Sequence, residues 1–186
     1  GNDLSVFDID CLKGIERLEI GNDCLKKVTL FVIDRLNELK SMKIGEKSFS
    51  VDKENGKGSK CLIMNCDQLK QIYFGDRSFL LYESFELKNL PSLTTLEMGC
   101  ASFLKCHLIV FDSMNDWMND KWDLIRLQSI ILGNKALYGD NGNVETNELI
   151  MKSMNGNYDW LIRSPFSIYI QRRLLQFRKD RQSAIE

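Results

Sequence analysis

Leu69-Lys-Gln-Ile-Tyr-Phe-Gly75 decides the fold, because four other segments of the 186-residue chain say the same thing. They are Ile15-Glu-Arg-Leu-Glu-Ile-Gly21, Leu39-Lys-Ser-Met-Lys-Ile-Gly45, Leu93-Thr-Thr-Leu-Glu-Met-Gly99 and Leu127-Gln-Ser-Ile-Ile-Leu-Gly133. The pattern is apolar-x-x-apolar-x-apolar-Gly. Its last two apolar residues alternate with polar ones, so they fall on one face of a short strand. A unit this small cannot bury its apolar face alone. Repetition therefore means that the copies stack and bury it against one another.

Aligning the copies on their glycines extends the pattern both ways. A second apolar strand ends six residues before the leading apolar residue: Phe7-Asp-Ile9, Phe31-Val-Ile33, Cys61-Leu-Ile63 and Phe85-Glu-Leu87. Three residues after it comes another apolar position, Leu12, Leu36, Cys66, Leu90 and, in the fifth copy, Leu124. Beyond each glycine a small residue precedes a large one: Cys24-Leu25, Ser48-Phe49, Ser78-Phe79, Ser102-Phe103 and Ala136-Leu137. Each repeat thus predicts two short strands in parallel ladders, apolar inward and polar outward. The repeated glycine is expected where a strand ends at positive φ or where backbones approach closely. Successive glycines lie 24, 30, 24 and 34 residues apart, the spacing of leucine-rich units and not of helical pairs. The two long intervals mark insertions, a polar loop at 51–60 and a Trp-bearing stretch at about 110–123.

The segment Met98-Gly-Cys-Ala-Ser-Phe-Leu-Lys-Cys-His-Leu-Ile109 resembles the leucine-rich repeats of the BspA-like type, whose pattern is roughly I-G-x-x-A-F-x-x-C-x-x-L. Asn89-Leu-Pro-Ser-Leu93 matches the N-L-P-x-L that accompanies it, and the likeness covers about residues 7–137. The chain departs from that type in having only Pro91 and Pro165. The resemblance implies an interaction or adhesion scaffold and carries over no catalytic residue.

The expected fold is mainly β with some α, a leucine-rich-repeat solenoid of five to six repeats over residues 1–163 with two short parallel strands each. Glu148-Leu-Ile-Met151 reads as a sixth, degenerate strand. At 164–186, Ser164-Pro165 reads as an N-cap and first helical residue. Phe166, Ile170, Leu174 and Phe177 follow on one helical face, with Arg172, Arg173 and other cations mostly elsewhere. That predicts an amphipathic helix capping the last repeat's open core. No comparable cap precedes Phe7, so the first repeat is expected to expose its edge to a missing partner or missing sequence.

Composition excludes several classes. The chain is 44% hydrophobic and 27% charged, as folded proteins are, with a net charge of −1 that gives no field favouring nucleic acid. No apolar run approaches a membrane span, and membrane contact is not expected. The opening Gly1-Asn-Asp-Leu-Ser lacks a Met, a charged region and an apolar region, which predicts no signal peptide and a processed or partial chain.

Six cysteines invite disulfide or zinc readings, but Cys61-x4-Cys66 and Cys100-x5-Cys106 have the wrong spacing and His107 is the sole histidine. Register is the better guide: Cys61 replaces a core Phe, Cys66 a core Leu, Cys24 a Ser or Ala, and Cys106 aligns with Val28 and Tyr82. These four are expected to be small buried hydrophobes, reduced, in an intracellular, cytoplasmic protein. Gly56-Lys-Gly-Ser-Lys60 fails the phosphate-loop spacing. The insertion's Asp112, Asp116 and Asp120 lack the calcium-loop pattern. No catalytic group, cofactor site or metal site is expected.

What remains is binding. One outward column of the second strands reads Glu19, Lys43, Tyr73, Glu97 and Ile131. Glu19 and Lys43 have opposite charges and are expected to pair across strands. Tyr73 and Ile131 are apolar where a polar residue is expected, and Trp117, Met118 and Trp122 form one face of the insertion. The expected function is a non-catalytic scaffold for a protein partner, contacted through Lys43, Tyr73, Ile131, Trp117, Met118, Trp122, Arg172 and Arg173. The competing expectation is a structural subunit or fragment of a larger multi-repeat assembly, held by the N-terminal edge and the basic helix.

Overall fold

The computed structural model describes residues 5–52, 56–112, 129–137 and 148–152. Eleven strands run along this part of the chain: β1 Val6–Asp8, β2 Arg17–Ile20, β3 Leu30–Asp34, β4 Ser41–Ile44, β5 Lys60–Met64, β6 Gln71–Phe74, β7 Ser84–Lys88, β8 Thr95–Met98, β9 Leu108–Asp112, β10 Ser129–Leu132 and β11 Glu148–Lys152. Odd strands form one six-stranded sheet in chain order, and even strands a five-stranded sheet from β2 to β10. Every pairing in both sheets is parallel. The chain alternates between sheets, so each turn adds one strand to each.

Glycine alignment gave the register of the even sheet residue for residue: Leu18, Met42, Ile72, Leu96 and Ile130 are Cα partners in succession. In the odd sheet Phe7, Phe31, Cys61, Phe85 and Ile109 do the same, with Leu149 beyond them. The fifth copy therefore begins at β9, and residues 110–112 belong to a strand, not to the insertion assigned to about 110–123. The run Leu108-Ile-Val-Phe-Asp112 pairs with β7 because Ile109 and Phe111 continue the inward positions of Phe85 and Leu87. The expected sixth strand is β11. Leu124, the rest of the Trp-bearing insertion and the helix expected at 164–186 lie outside the described residues.

Between the sheets lies one core. Phe49, Phe79 and Phe103, the large residue after each glycine loop, stack with centroids 4.7 Å apart and planes within 5°. Phe31 of the odd sheet and Phe74 of the even sheet meet Phe79 edge-on at 5.3 Å. Tyr82 is fully buried in the same cluster, and its hydroxyl donates to the Val28 carbonyl at 2.6 Å. That bond satisfies a polar group which would otherwise be costly to bury.

The glycine loops show why small residues recur. Ser48 Oγ accepts from the Cys24 N–H at 3.1 Å and donates to the Gly21 carbonyl at 2.7 Å. Ser102 Oγ donates to the Gly75 carbonyl at 2.8 Å. Each hydroxyl ties its loop to the one before. Of the two reasons expected for the glycines, close approach holds and positive φ does not. Positive φ falls instead on the second and fourth residues after each glycine, such as Lys47 and Phe49, Arg77 and Phe79, Ala101 and Phe103, with φ between 51° and 56°. A Cβ on Gly75 would come within 2.6 Å of the Glu46 nitrogen and 2.8 Å of the Gly45 carbonyl carbon, closer than real contacts allow.

Cys61, Cys66 and Cys106 are buried, Cys24 is half-buried, and Cys11 and Cys100 are exposed; all six are free thiols. Burial pushes the Cys66 thiol up to about 11 and those of Cys61 and Cys106 well above the ordinary range. They are protonated core filler at neutral pH.

Candidate interaction face

The outward face of the even sheet is built by strict alternation. In β4, β6 and β8 the second and fourth residues are buried, which turns the first and third toward solvent. Parallel register then sets Glu19, Lys43, Tyr73, Glu97 and Ile131 side by side on five adjacent strands. At the usual strand spacing the column is about 19 Å long. Ile131 is 51% exposed at one end, Tyr73 is half-buried at the centre, and Glu97 separates them. A flanking column holds Arg17, Ser41, Gln71 and Thr95.

Charges on this face pair differently from expectation. Lys43 does not pair with Glu19. Its ammonium lies over the Tyr73 ring, 5.7 Å from the centroid, while Glu19 meets Arg17 of its own strand at 3.6 Å. Lys43 has two neighbours across the sheet, and the flat aromatic face attracts a cation without immobilising a second flexible charged chain. At the foot of the same sheet Lys40 bridges Glu16 at 2.8 Å, and hydrogen bonding and charge from Lys40 hold the Glu16 carboxyl below its ordinary value. The Tyr73 hydroxyl is pushed up, first by desolvation and then by the carboxylates of Glu97, Asp76 and Glu46. It stays a neutral hydrogen-bond donor throughout the physiological range. The result is a shallow strip with an aromatic centre under a cation and an aliphatic end.

The structure thus unites Lys43, Tyr73 and Ile131 in one column. Trp117, Met118, Trp122, Arg172 and Arg173 lie outside the described residues.

The odd sheet corrects the expectation of a polar outward face. Its outward column is Asp8, Val32, Leu62, Glu86 and Val110. Val110 is 7% exposed and Glu86 4%, and the neighbouring Ser84 is buried with no partner for its hydroxyl among the described residues. The Glu86 carboxylate is held by Lys60 at 2.9 Å and Lys88 at 2.6 Å. Burial pushes that carboxyl up, but the hydrogen bonds and charges of Lys88 and Lys60 outweigh it and leave it below the ordinary value. The signal was in the sequence: Leu30-Phe-Val-Ile33 and Leu108-Ile-Val-Phe111 are unbroken apolar runs, which mark strands shielded on both faces.

Among the described residues no three His, Cys, Asp or Glu side chains group as a metal site, and no helix is long and apolar enough to cross a membrane. Comparison with known proteins finds no matching family model, no matching curated protein and no matching solved structure.

Proposed function

We propose that the chain is a non-catalytic leucine-rich-repeat scaffold of BspA-like kind that binds a protein partner through the outward face of its even sheet. The observation that carries this reading is the column itself. Five consecutive repeats hold their variable outward residue in one line, with Tyr73 and Ile131 set among Glu19, Lys43 and Glu97. A rigid sheet presents such side chains with little loss of freedom on binding, and aromatic anchors ringed by polar residues are the usual energetic centres of protein interfaces. The mixed charge and modest area suit a polypeptide partner better than the phosphate backbone of a nucleic acid, which demands a basic surface.

The test is photocrosslinking from the two faces. A photoreactive residue in place of Lys43 should capture a defined protein, whereas one in place of Lys60 on the odd sheet should not. Tyr73→Ala combined with Ile131→Asp should abolish that capture and shift Tm by no more than about 4 °C. Equal capture from both positions, or capture that survives the double substitution, overturns the proposal.

A further inference from the structure

The first turn is built like the others, but among the described residues nothing lies where each of the others rests on a preceding turn. β1 and β2 are the end strands of the two sheets. Phe7, Ile9, Ile15, Leu18, Ile20 and Leu25 are only partly buried, where Phe31, Ile33, Leu39, Met42, Ile44 and Phe49 of the next turn are buried. Val6 and Leu12 stand 41% and 47% exposed.

The glycine loop is more specific than this apolar edge. A Cβ on Gly45, Gly75, Gly99 or Gly133 would collide with the backbone of the preceding turn. On Gly21 it would meet only Cys24 Sγ at 3.8 Å. In later turns the glycine N–H donates to the preceding strand, Gly45 to Ile20 and Gly75 to Ile44, both at 2.8 Å. The large residue four places on donates likewise, Phe49 to Cys24 and Phe79 to Ser48, both at 2.9 Å. The N–H groups of Gly21 and Leu25 have no partner among the described residues. Yet Asp23 and Leu25 already hold the positive φ of the inner loops, at 56° and 54°. The first loop is shaped for a neighbour at its open side.

We propose that the β1/β2 edge seats a further turn of the same repeat, a two-strand unit ending in glycine, carried by the polypeptide that enters β1 at Ser5. Two observations select this occupant. The Ser5 carbonyl accepts from Thr29 N–H at 2.8 Å, as Thr29 accepts from Lys60 at 2.8 Å and Glu83 from His107 at 3.0 Å. Ser5 thus holds the position through which, in every later turn, the chain arrives from a preceding glycine loop. A second copy of the chain meeting the same edge about a two-fold axis would run antiparallel. Its glycine loop would then lie at the opposite end of the strands and leave Gly21 and Leu25 uncovered. Only a parallel turn continues the interface already formed between every pair of turns. This inference is independent of the partner face proposed above.

The test extends the chain in register. A copy of residues 25–48 placed directly before Gly1 sets a new glycine 24 residues ahead of Gly21, the interval that separates Gly21 from Gly45. Tm should rise by roughly 5 °C or more, and amide exchange at Gly21 and Leu25 should slow by about tenfold or more. Gly21→Val should shift Tm of the 186-residue chain by less than about 2 °C and should erase the gain in the extended chain. In the unextended chain Gly21 and Leu25 should exchange faster than Gly45 and Phe49. An extension that alters neither Tm nor exchange overturns the proposal. So does a 186-residue chain that sediments as a dimer with the Gly21 and Leu25 amides already protected.

Discussion

The two sheets are made by the same turns and share one core, yet their outward faces are opposites. On the even sheet the strands Ser41–Ile44 and Gln71–Phe74 alternate strictly, and their outward residues are polar or isolated aromatics. On the odd sheet the outward Val32, Leu62 and Val110 make an apolar stripe; of the two charges in its column, Asp8 stands exposed at the end strand and Glu86 is shielded and doubly paired. Inward packing therefore does not distinguish the faces; only the outward residue of each strand does. A face that stays polar can be varied at little cost in stability. A face that is apolar and shielded is tied to folding. This contrast, more than the repeat itself, marks the even face as the one whose residues can vary without changing the fold.

The contrast presumes a common core, and Phe79→Ala is the largest test of it. Phe79 contacts Phe31 of the odd sheet and Phe74 of the even sheet as well as stacking between Phe49 and Phe103. Deleting the ring should cost about 3–5 kcal/mol, seen as a lower urea midpoint with amide protection lost in both sheets together. Protection lost in one sheet alone would mean that the sheets are separate units, and the comparison would fail.

Glu86 tests the shielded face at an intermediate scale. Glu86→Gln leaves Lys60 and Lys88 facing a neutral partner and should cost about 1–2 kcal/mol at neutral pH, the lysines being partly solvated. The sign with pH follows from the lowered carboxyl. The ionised form is favoured in the folded state, so its contribution is complete above the ordinary value of 4.5 and is lost as pH falls through and below it. Between pH 6 and pH 3 the wild type should lose more stability than the Gln variant. Glu16, paired with Lys40 on the open face, is the control: Glu16→Gln should leave the midpoint at pH 7 unchanged, because an exposed pair contributes little. Equal effects at the two positions would erase the distinction between faces.

How much of this was legible beforehand depends on which interactions are local. Register and turn order were readable because glycine positions fix strand alignment, and the line from Glu19 to Ile131 followed directly. The glycines themselves could be assigned to close approach only once the turns were stacked, since the steric neighbour lies a full turn away in sequence. Positive φ at Phe49, Phe79 and Leu137 carries no sequence signal, because bulky residues avoid that region in isolation and are held there by burial. The apolar face of the odd sheet was visible in Leu30-Phe-Val-Ile33 but concealed by Phe85-Glu-Leu87, whose Glu86 imitates ordinary alternation. The partner of Lys43 was undetermined because Glu19 and Tyr73 flank it equally, and only side-chain placement chooses between them.

That choice gives the smallest and most discriminating prediction. If Lys43 rests on Tyr73, then Lys43→Met and Tyr73→Ala should each cost no more than about 1 kcal/mol, with a coupling of about 0.5 kcal/mol in the double mutant. Lys43→Met and Glu19→Gln should instead be additive, since Glu19 is engaged by Arg17. Coupling of Lys43 to Glu19 and not to Tyr73 would restore the cross-strand ion pair and leave the ring uncovered. The small size of the expected effect is itself the point. A tyrosine that contributes almost nothing to stability, held half-buried at the centre of a polar sheet by a lysine on the neighbouring strand, can be replaced without unfolding the chain. Loss of partner capture on Tyr73→Ala would then report binding and not folding, which no residue in the outward stripe of the odd sheet could do.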